Sequence, residues 1–186
     1  LDAALVAHIC VVDGDQPFVL PVAFARNGDT LYIHGSSKSR LFTQLATGAS
    51  TCLTVTLLDG LVVARSVFES SMNYRSVMVL GTCRVVEGQD KAAALQVISD
   101  HLLPGRWDEA RHPNEQEDKA TMVLALDLKE SSVKISAGLP DEVPADVELP
   151  VWAGVVPLTE HFGEPIDAPD LPVGVAVPDY IRQWKR

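Results

Sequence analysis

Residues 31–48 read LYIHGSSKSRLFTQLATG. Leu31, Tyr32 and Ile33 are apolar and β-prone, whereas Leu41, Phe42 and Leu45 recur at helical spacing, so the stretch is a strand that feeds a short helix. Gly48 suits the C-terminal cap of that helix, and Ser37 or Ser39 its N-terminal cap. Between the two halves stand Gly35, Ser36, Ser37, Lys38, Ser39 and Arg40, one flexible residue with three hydroxyls and two cations. The first N–H groups of a helix and the positive end of its dipole favour an anion. Lys38 supplies a point charge and Arg40 a two-pronged donor, so the junction has the parts of a phosphate site. The same residues also make an ordinary helix cap with solvated cations. Neither G-x-x-x-x-G-K-[ST] nor G-x-G-x-x-G occurs in the chain.

Strand signals surround the junction. ALVAHICVV and PFVLPVAFA flank the turn cluster Asp13-Gly14-Asp15, which predicts a hairpin, and Asn27-Gly28-Asp29 turns the chain into TLYIHG. STCLTVTLL and LVVARS follow, divided at Asp59-Gly60, and YRSVMVLGTCRVVEG is long enough for a strand bent at Gly81. Six strands joined by short turns predict an antiparallel barrel, completed by ATMVLALDL and SSVKIS. A second amphipathic helix is predicted in QDKAAALQVISDHLLPG, where Leu95, Ile98 and Leu102 share a face until Pro104-Gly105. Eight of the twelve prolines follow residue 139, and a chain so rich in proline cannot form central strands. Residues 1–138 are thus read as the barrel domain, and residues 139–186 as an extended arm laid on the barrel or on a partner subunit. Val151, Trp152, Val155 and Val156 are its predicted anchor.

At 186 residues the chain is large enough for one well-buried core. Its net charge of −10 argues against nucleic acid or an anionic membrane as the main partner. From Arg26 to Arg84, however, six cations face three acids, a local charge of +3 that points to an anionic ligand. Cys10, Cys52 and Cys83 lie in apolar strand-like runs without a C-x-x-C spacing, and are expected to be reduced core thiols in a cytoplasmic protein. No run of about 18 apolar residues is present. The first residues look like the inside of a strand, so a longer natural N-terminus is expected.

Two further constellations stand out. In SMNYRSVMVLG, Asn73, Tyr74, Arg75 and Ser76 enter a strand, as ring-edge ligands or as a surface turn. In LPGRWDEARHP, Trp107 lies between Arg106 and Arg111, where it stacks on a ring or packs as core. The chain carries no G-x-S-x-G, no H-E-x-x-H and no metal-ligand spacing among its five histidines, so no catalytic residue is assigned and chemistry would belong to a cofactor. Glu115 and Glu117 read as a solvated acidic face.

Taken in order, GDTLYIHGSSKSRL, LLDGLVVARS, SMNYRSVMVLG, LLPGRWDEAR and LPVWAGVVPL resemble the FMN-binding split-barrel proteins related to pyridoxamine 5'-phosphate oxidase, particularly the nitroimidazole-resistance-like branch. The resemblance implies a mainly β fold, a six-stranded antiparallel split β-barrel with flanking helices. It also implies a homodimer with FMN between the subunits. Ser36, Ser37, Lys38, Ser39 and Arg40 would grip the flavin phosphate, with His34 and Gly35 beside the ribityl chain. Thr54, Val55 and Thr56 would lie along the isoalloxazine ring, Tyr74, Arg75 and Ser76 would line the same cleft, and Trp107 would come from the other subunit. The chain differs from many such relatives in having Glu69 and Ser70 before SMNYRS, where they carry histidines, and Ser136 where they carry arginine. The activity implied is hydride transfer between a reduced nicotinamide and a small acceptor. Alternatives are a flavin sensor without turnover, and a split barrel that holds haem, with His34 as axial ligand, or a deazaflavin.

Overall fold

The structure is a computed structural model and describes residues 1–184. The chain opens with β1 (Val6–Asp13), β2 (Gln16–Asn27) and β3 (Thr30–Ser36), then α1 (Arg40–Ala46), β4 (Ser50–Val63) and β5 (Ser71–Thr82). It continues with β6 (Arg84–Val86), α2 (Gly88–Leu102), α3 (Arg106–Glu109), α4 (Glu115–Ala120), β7 (Thr121–Asp127) and β8 (Glu130–Ser136). The last elements are β9 (Gly154–Pro157) and α5 (Asp179–Arg182).

Hairpin chemistry sets the first three strands. Gly14 (φ +62°) and Gly28 (φ +58°) take the left-handed conformation that each tight turn needs, and β1, β2 and β3 pair antiparallel on either side. All strands join one antiparallel sheet in the order β6-β7-β3-β2-β1-β4-β5-β8, with β9 on β4. Strands β7 and β8 are consecutive yet lie near opposite ends of the sheet, one on β3 and the other on β5. The sheet therefore curls into a split barrel, as the resemblance implied.

Inside the curl, Ile9, Phe24, Leu31, Leu53, Val79 and Leu124 are almost wholly buried. Helix α1 closes one end with Leu41, Phe42 and Leu45, each worth about 1.5–3 kcal/mol of apolar burial. On the outside, α2 covers the β6-β7-β3 end, where Ala94 and Leu95 pack on Val86, Val123, Ala125 and Tyr32.

Several expectations are corrected. Asp59-Gly60 is no turn: β4 runs through it with a register shift between Leu58 and Gly60, because β5 pairs along its whole length. The long run ending at Val86 is two strands, since the chain swings at Gly81 (φ +159°) so that β6 leaves β4 and pairs with β7. Among the described residues nine strands result, against six runs completed by two more in the sequence. Cys83 is buried, but Cys10 and Cys52 are half-buried partners on the outer face of β1 and β4. Burial pushes the Cys83 thiol from 9.0 up to about 11. At pH 8 its thiolate fraction is then lower by about two orders of magnitude, and native alkylation followed by mass spectrometry should leave it unlabelled.

The proline-rich segment carries β9 and α5 and meets the barrel at Arg65 and along β4. Glu142 accepts hydrogen bonds from the Arg65 backbone N–H (3.1 Å) and guanidinium (3.0 Å), and β9 then pairs with residues 60–63 of β4. Trp152, expected to anchor the arm, is 62% exposed, whereas Val155 and Val156 do form the docked strand. Gly60 permits this docking, because a Cβ there would lie 2.7 Å from the Val156 carbonyl oxygen. In Gly60→Ala, β9 should detach: limited proteolysis between residues 139 and 160 should accelerate while the barrel keeps its circular dichroism. Equal cleavage rates would mean that the arm is held elsewhere.

Candidate functional site

At the end of β3 the backbone turns sharply. The Ser39 N–H donates to the Ser36 carbonyl (2.9 Å), the Lys38 N–H to Ser36 Oγ (3.2 Å) and the Ser37 N–H to the Ala120 carbonyl (2.8 Å). Ser37 Oγ also donates to the Lys119 carbonyl (3.3 Å). Ser39 occupies the N-cap position of α1, but its side chain makes no cap hydrogen bond. The turn thus uses the N–H groups of Ser37, Lys38 and Ser39, leaving the first N–H groups of α1, the hydroxyls and the cations to meet a ligand.

The two cations differ. Arg40 Nε donates to Asp13 Oδ2 (2.6 Å) and its guanidinium lies 5.0 Å from the Phe18 ring centroid, so β1 and β2 hold it beside the junction. Lys38 is exposed on the turn. Gly35 keeps its place through a close approach rather than an unusual φ: a Cβ would meet Phe42 ring carbons at 2.3–2.8 Å.

On the outer face of the sheet, register aligns His8 with Thr54, Thr54 with Met78 and Met78 with Ser132. The next row aligns Thr56 with Ser76 and Ser76 with Lys134, and Lys134 Nζ stands 5.7 Å from the Tyr74 ring centroid. Thr54, Thr56, Tyr74 and Ser76 therefore share one polar, partly apolar surface. Val55 faces inward, 3% exposed, so only its backbone is at that surface. Arg75 points to the opposite side, where it makes a two-pronged bond to Asp59 (2.7 and 2.9 Å) that lowers the Asp59 pKa. The structure thus separates Arg75 from Tyr74 and Ser76, with which the sequence had grouped it.

His34 and Trp107 form a third grouping. Both line a cavity of about 310 Å³ between β3, α2 and α3, together with Leu95, Ile98, Leu102 and Arg106. Arg111 and His112 stand at its edge, where His112 stacks on Trp107 (centroids 4.4 Å) and its Nε2 meets the Trp107 carbonyl at 3.1 Å. Tyr32 and His34 point to the same outer side as Ala23, Ala25 and His8, so cavity and polar surface lie on one side of the sheet, two strands apart. Trp107 reaches this cavity within its own subunit.

Sequence reasoning missed the groups that hold these side chains: Asp13 and Phe18 for Arg40, and Asp59 for Arg75. Glu115 and Glu117 are solvated, as read, and also open α4. Asn114 and Glu117 form a reciprocal cap, and Arg111 makes two 2.8 Å bonds to Glu117, holding its carboxyl at about 2. The Asn114-x-x-Glu117 spacing is the signal that could have shown this. Among the described residues, no group of three metal-ligating side chains occurs, and no helix is long and apolar enough to cross a membrane.

Split barrel, outer polar face and strand-to-helix junction together define the class of the protein. A family model described as pyridoxamine 5'-phosphate oxidase matches residues 1–135, and the chain belongs to that family. Among solved structures, the FAD and haem binding protein from Mycobacterium smegmatis is 42% identical. It superposes with a TM-score of 0.94 over 97% of this chain and 89% of that one. The flavocytochrome Anf3 from Azotobacter vinelandii is 39% identical, with a TM-score of 0.93 over 100% of this chain and 86% of that one. A 5-nitroimidazole antibiotic resistance protein from Bacteroides thetaiotaomicron, 21% identical with a TM-score of 0.59 over 71% of this chain and 77% of that one, shares the fold. No curated protein matches.

Proposed function

We propose that the chain is a flavin-binding redox protein. The observation that carries this reading is its likeness, over nearly its whole length, to two proteins described as binding FAD with haem or as a flavocytochrome. Lys38, Arg40 and the hydroxyls of Ser36, Ser37 and Ser39 would hold the phosphate that FMN and FAD share, with Gly35 and His34 next along β3. Thr54, Thr56, Tyr74 and Ser76 would border the ring, and the Val55 backbone would lie beneath it. FMN suffices for these contacts, while the Mycobacterium smegmatis relative favours FAD as the natural form.

A bound flavin supplies hydride transfer, here between a reduced nicotinamide and a small acceptor. The described residues offer orientation: hydroxyls at the ring edge and two cations at the phosphate. Rapid flavin bleaching by NADH or NADPH, reversed by an acceptor, supports an oxidoreductase. Binding without bleaching supports a sensor.

The reading includes a cytoplasmic homodimer. Val12, Val19, Leu58 and Met78 are 40–55% exposed on the outer strand face, which suits a second copy laid over the flavin. Trp152, exposed on the arm, would then contact the partner. Deleting residues 139–186 should raise the dimer dissociation constant by at least tenfold in sedimentation experiments. A truncated chain that stays dimeric at nanomolar concentration would remove the arm from the interface.

A second reading, haem in addition to flavin, is favoured by the same two relatives. For a deazaflavin no specific observation speaks.

A further inference from the structure

We infer that Cys10 and Cys52 form a reversible disulfide between β1 and β4, made and broken by exchange with a small-molecule disulfide. The inference goes beyond the flavin reading and does not depend on it. Cys10 and Cys52 stand directly opposite one another in the antiparallel register of these strands, and both are half-buried on the outer face. Residues paired in this way have Cα atoms about 4.5 or 5.5 Å apart, inside the range of about 4.4–6.8 Å that a disulfide spans. Their side chains leave the sheet on the same side. Both thiols are free in the structure, with Cys10 Sγ turned towards the Val11 carbonyl (4.0 Å), so rotation about the Cα–Cβ bonds is what joins the sulfurs.

The place of the pair gives the bridge a consequence. Strands β1 and β4 are joined by three residue pairs, His8 with Thr54, Ile9 with Leu53 and Cys10 with Cys52. By contrast, β1 pairs with β2 along its whole length, and β4 with β5 along nearly all of its own. The cysteines end the short ladder, and just beyond them the Thr51 hydroxyl donates to the Cys10 carbonyl (2.6 Å). A disulfide at this point clamps the seam that holds the β1–β2 hairpin to the β4–β5 hairpin. Thr54 is the next residue of β4 on the same face, so the clamp borders the polar surface described above.

The exchange balances. One cysteine thiolate attacks a sulfur of the small disulfide, forming a mixed disulfide and releasing one small thiolate. The second cysteine, its proton lost to solvent, attacks the protein-side sulfur of that mixed disulfide, closes the Cys10–Cys52 bond and releases the other small thiolate. Two protein thiols are oxidised and one small disulfide is reduced to two thiols, which take up the two protons. Desolvation, and after it the neighbouring Cys10, raise the Cys52 thiol above its ordinary value, so the exchange is slow at neutral pH. Cys83 is buried in the core and takes no part. Because the pair lies on the face proposed for a second copy, a bridge between two chains is the competing product.

The test incubates the reduced full chain in mixtures of reduced and oxidised glutathione, alkylates the remaining thiols and maps the unreduced peptides by mass spectrometry. A peptide linked through Cys10 and Cys52 should accumulate as the mixture becomes more oxidising and vanish with dithiothreitol, while Cys83 stays a free thiol. Amide hydrogen exchange along the β1–β4 seam should slow by about tenfold on oxidation. In Cys10→Ser and in Cys52→Ser the remaining cysteine should stop at the mixed disulfide with glutathione, and exchange at the seam should not slow. Two alkylated cysteines in the most oxidising mixture, two separate glutathione adducts, or a bridge between two chains would overturn the inference. A Cys10–Cys52 bridge that leaves amide exchange unchanged would overturn the clamp.

Discussion

Replacing both Lys38 and Arg40 with alanine should weaken flavin binding by about 100-fold. Each charge-assisted contact to a phosphate is worth about 1.5–3 kcal/mol, so two give at least about 3 kcal/mol. The turn consumes the N–H groups of Ser37, Lys38 and Ser39, so the backbone's share of anion binding is confined to the first N–H groups of α1. The fold should tolerate the change, because the Arg40 side chain is 62% exposed and such surface pairs contribute about 0–1 kcal/mol. Asp13→Asn gives the complementary result: freed of its 2.6 Å partner, Arg40 should bind the phosphate more tightly. Fluorescence quenching of FMN and FAD measures both variants. Undiminished affinity in the double variant would remove the phosphate from this junction.

Gly35→Ala should lower both stability and flavin affinity. The added methyl would sit 2.3 Å from a ring carbon of Phe42, which is 4% exposed in the core. Phe42 cannot yield without moving α1, whose start carries Arg40. Overpacking of this kind costs about 1–3 kcal/mol, equivalent to roughly 5 °C in melting temperature for a chain of this size. Pairing the substitution with Phe42→Leu should recover much of the loss, since the shorter side chain vacates the contested space. If Gly35→Ala melts like the wild type, the close approach has no energetic weight and α1 is free to shift.

The fold was legible wherever local chemistry decided it. Asp13-Gly14-Asp15 and Asn27-Gly28-Asp29 force positive φ at one glycine each, and Leu41, Phe42 and Leu45 share a helix face whatever they pack against. Partner choice was not legible. Nothing local to Asp59-Gly60 reveals that β5 continues past it, and nothing in GTCRVVEG says that its end leaves β4 for β7.

The candidate site divides along the same line. Residue types at the junction announced an anion, but only the folded turn shows that the N–H groups of Ser37, Lys38 and Ser39 are spent and that Asp13 holds Arg40. Tyr74, Arg75 and Ser76 are adjacent in sequence, yet strand alternation sends Arg75 to the other face. The resemblance put His34 beside the ribityl chain. Its place in a cavity with Trp107 depends on α2 and α3 folding back over β3, a contact between residues some 70 positions apart that no local pattern encodes.

The most direct test of the flavin reading is the visible absorption spectrum of the purified protein before and after incubation with FMN or FAD and gel filtration. A retained two-banded flavin spectrum, with one flavin per chain, is the predicted result. A protein that emerges colourless after both incubations would contradict it.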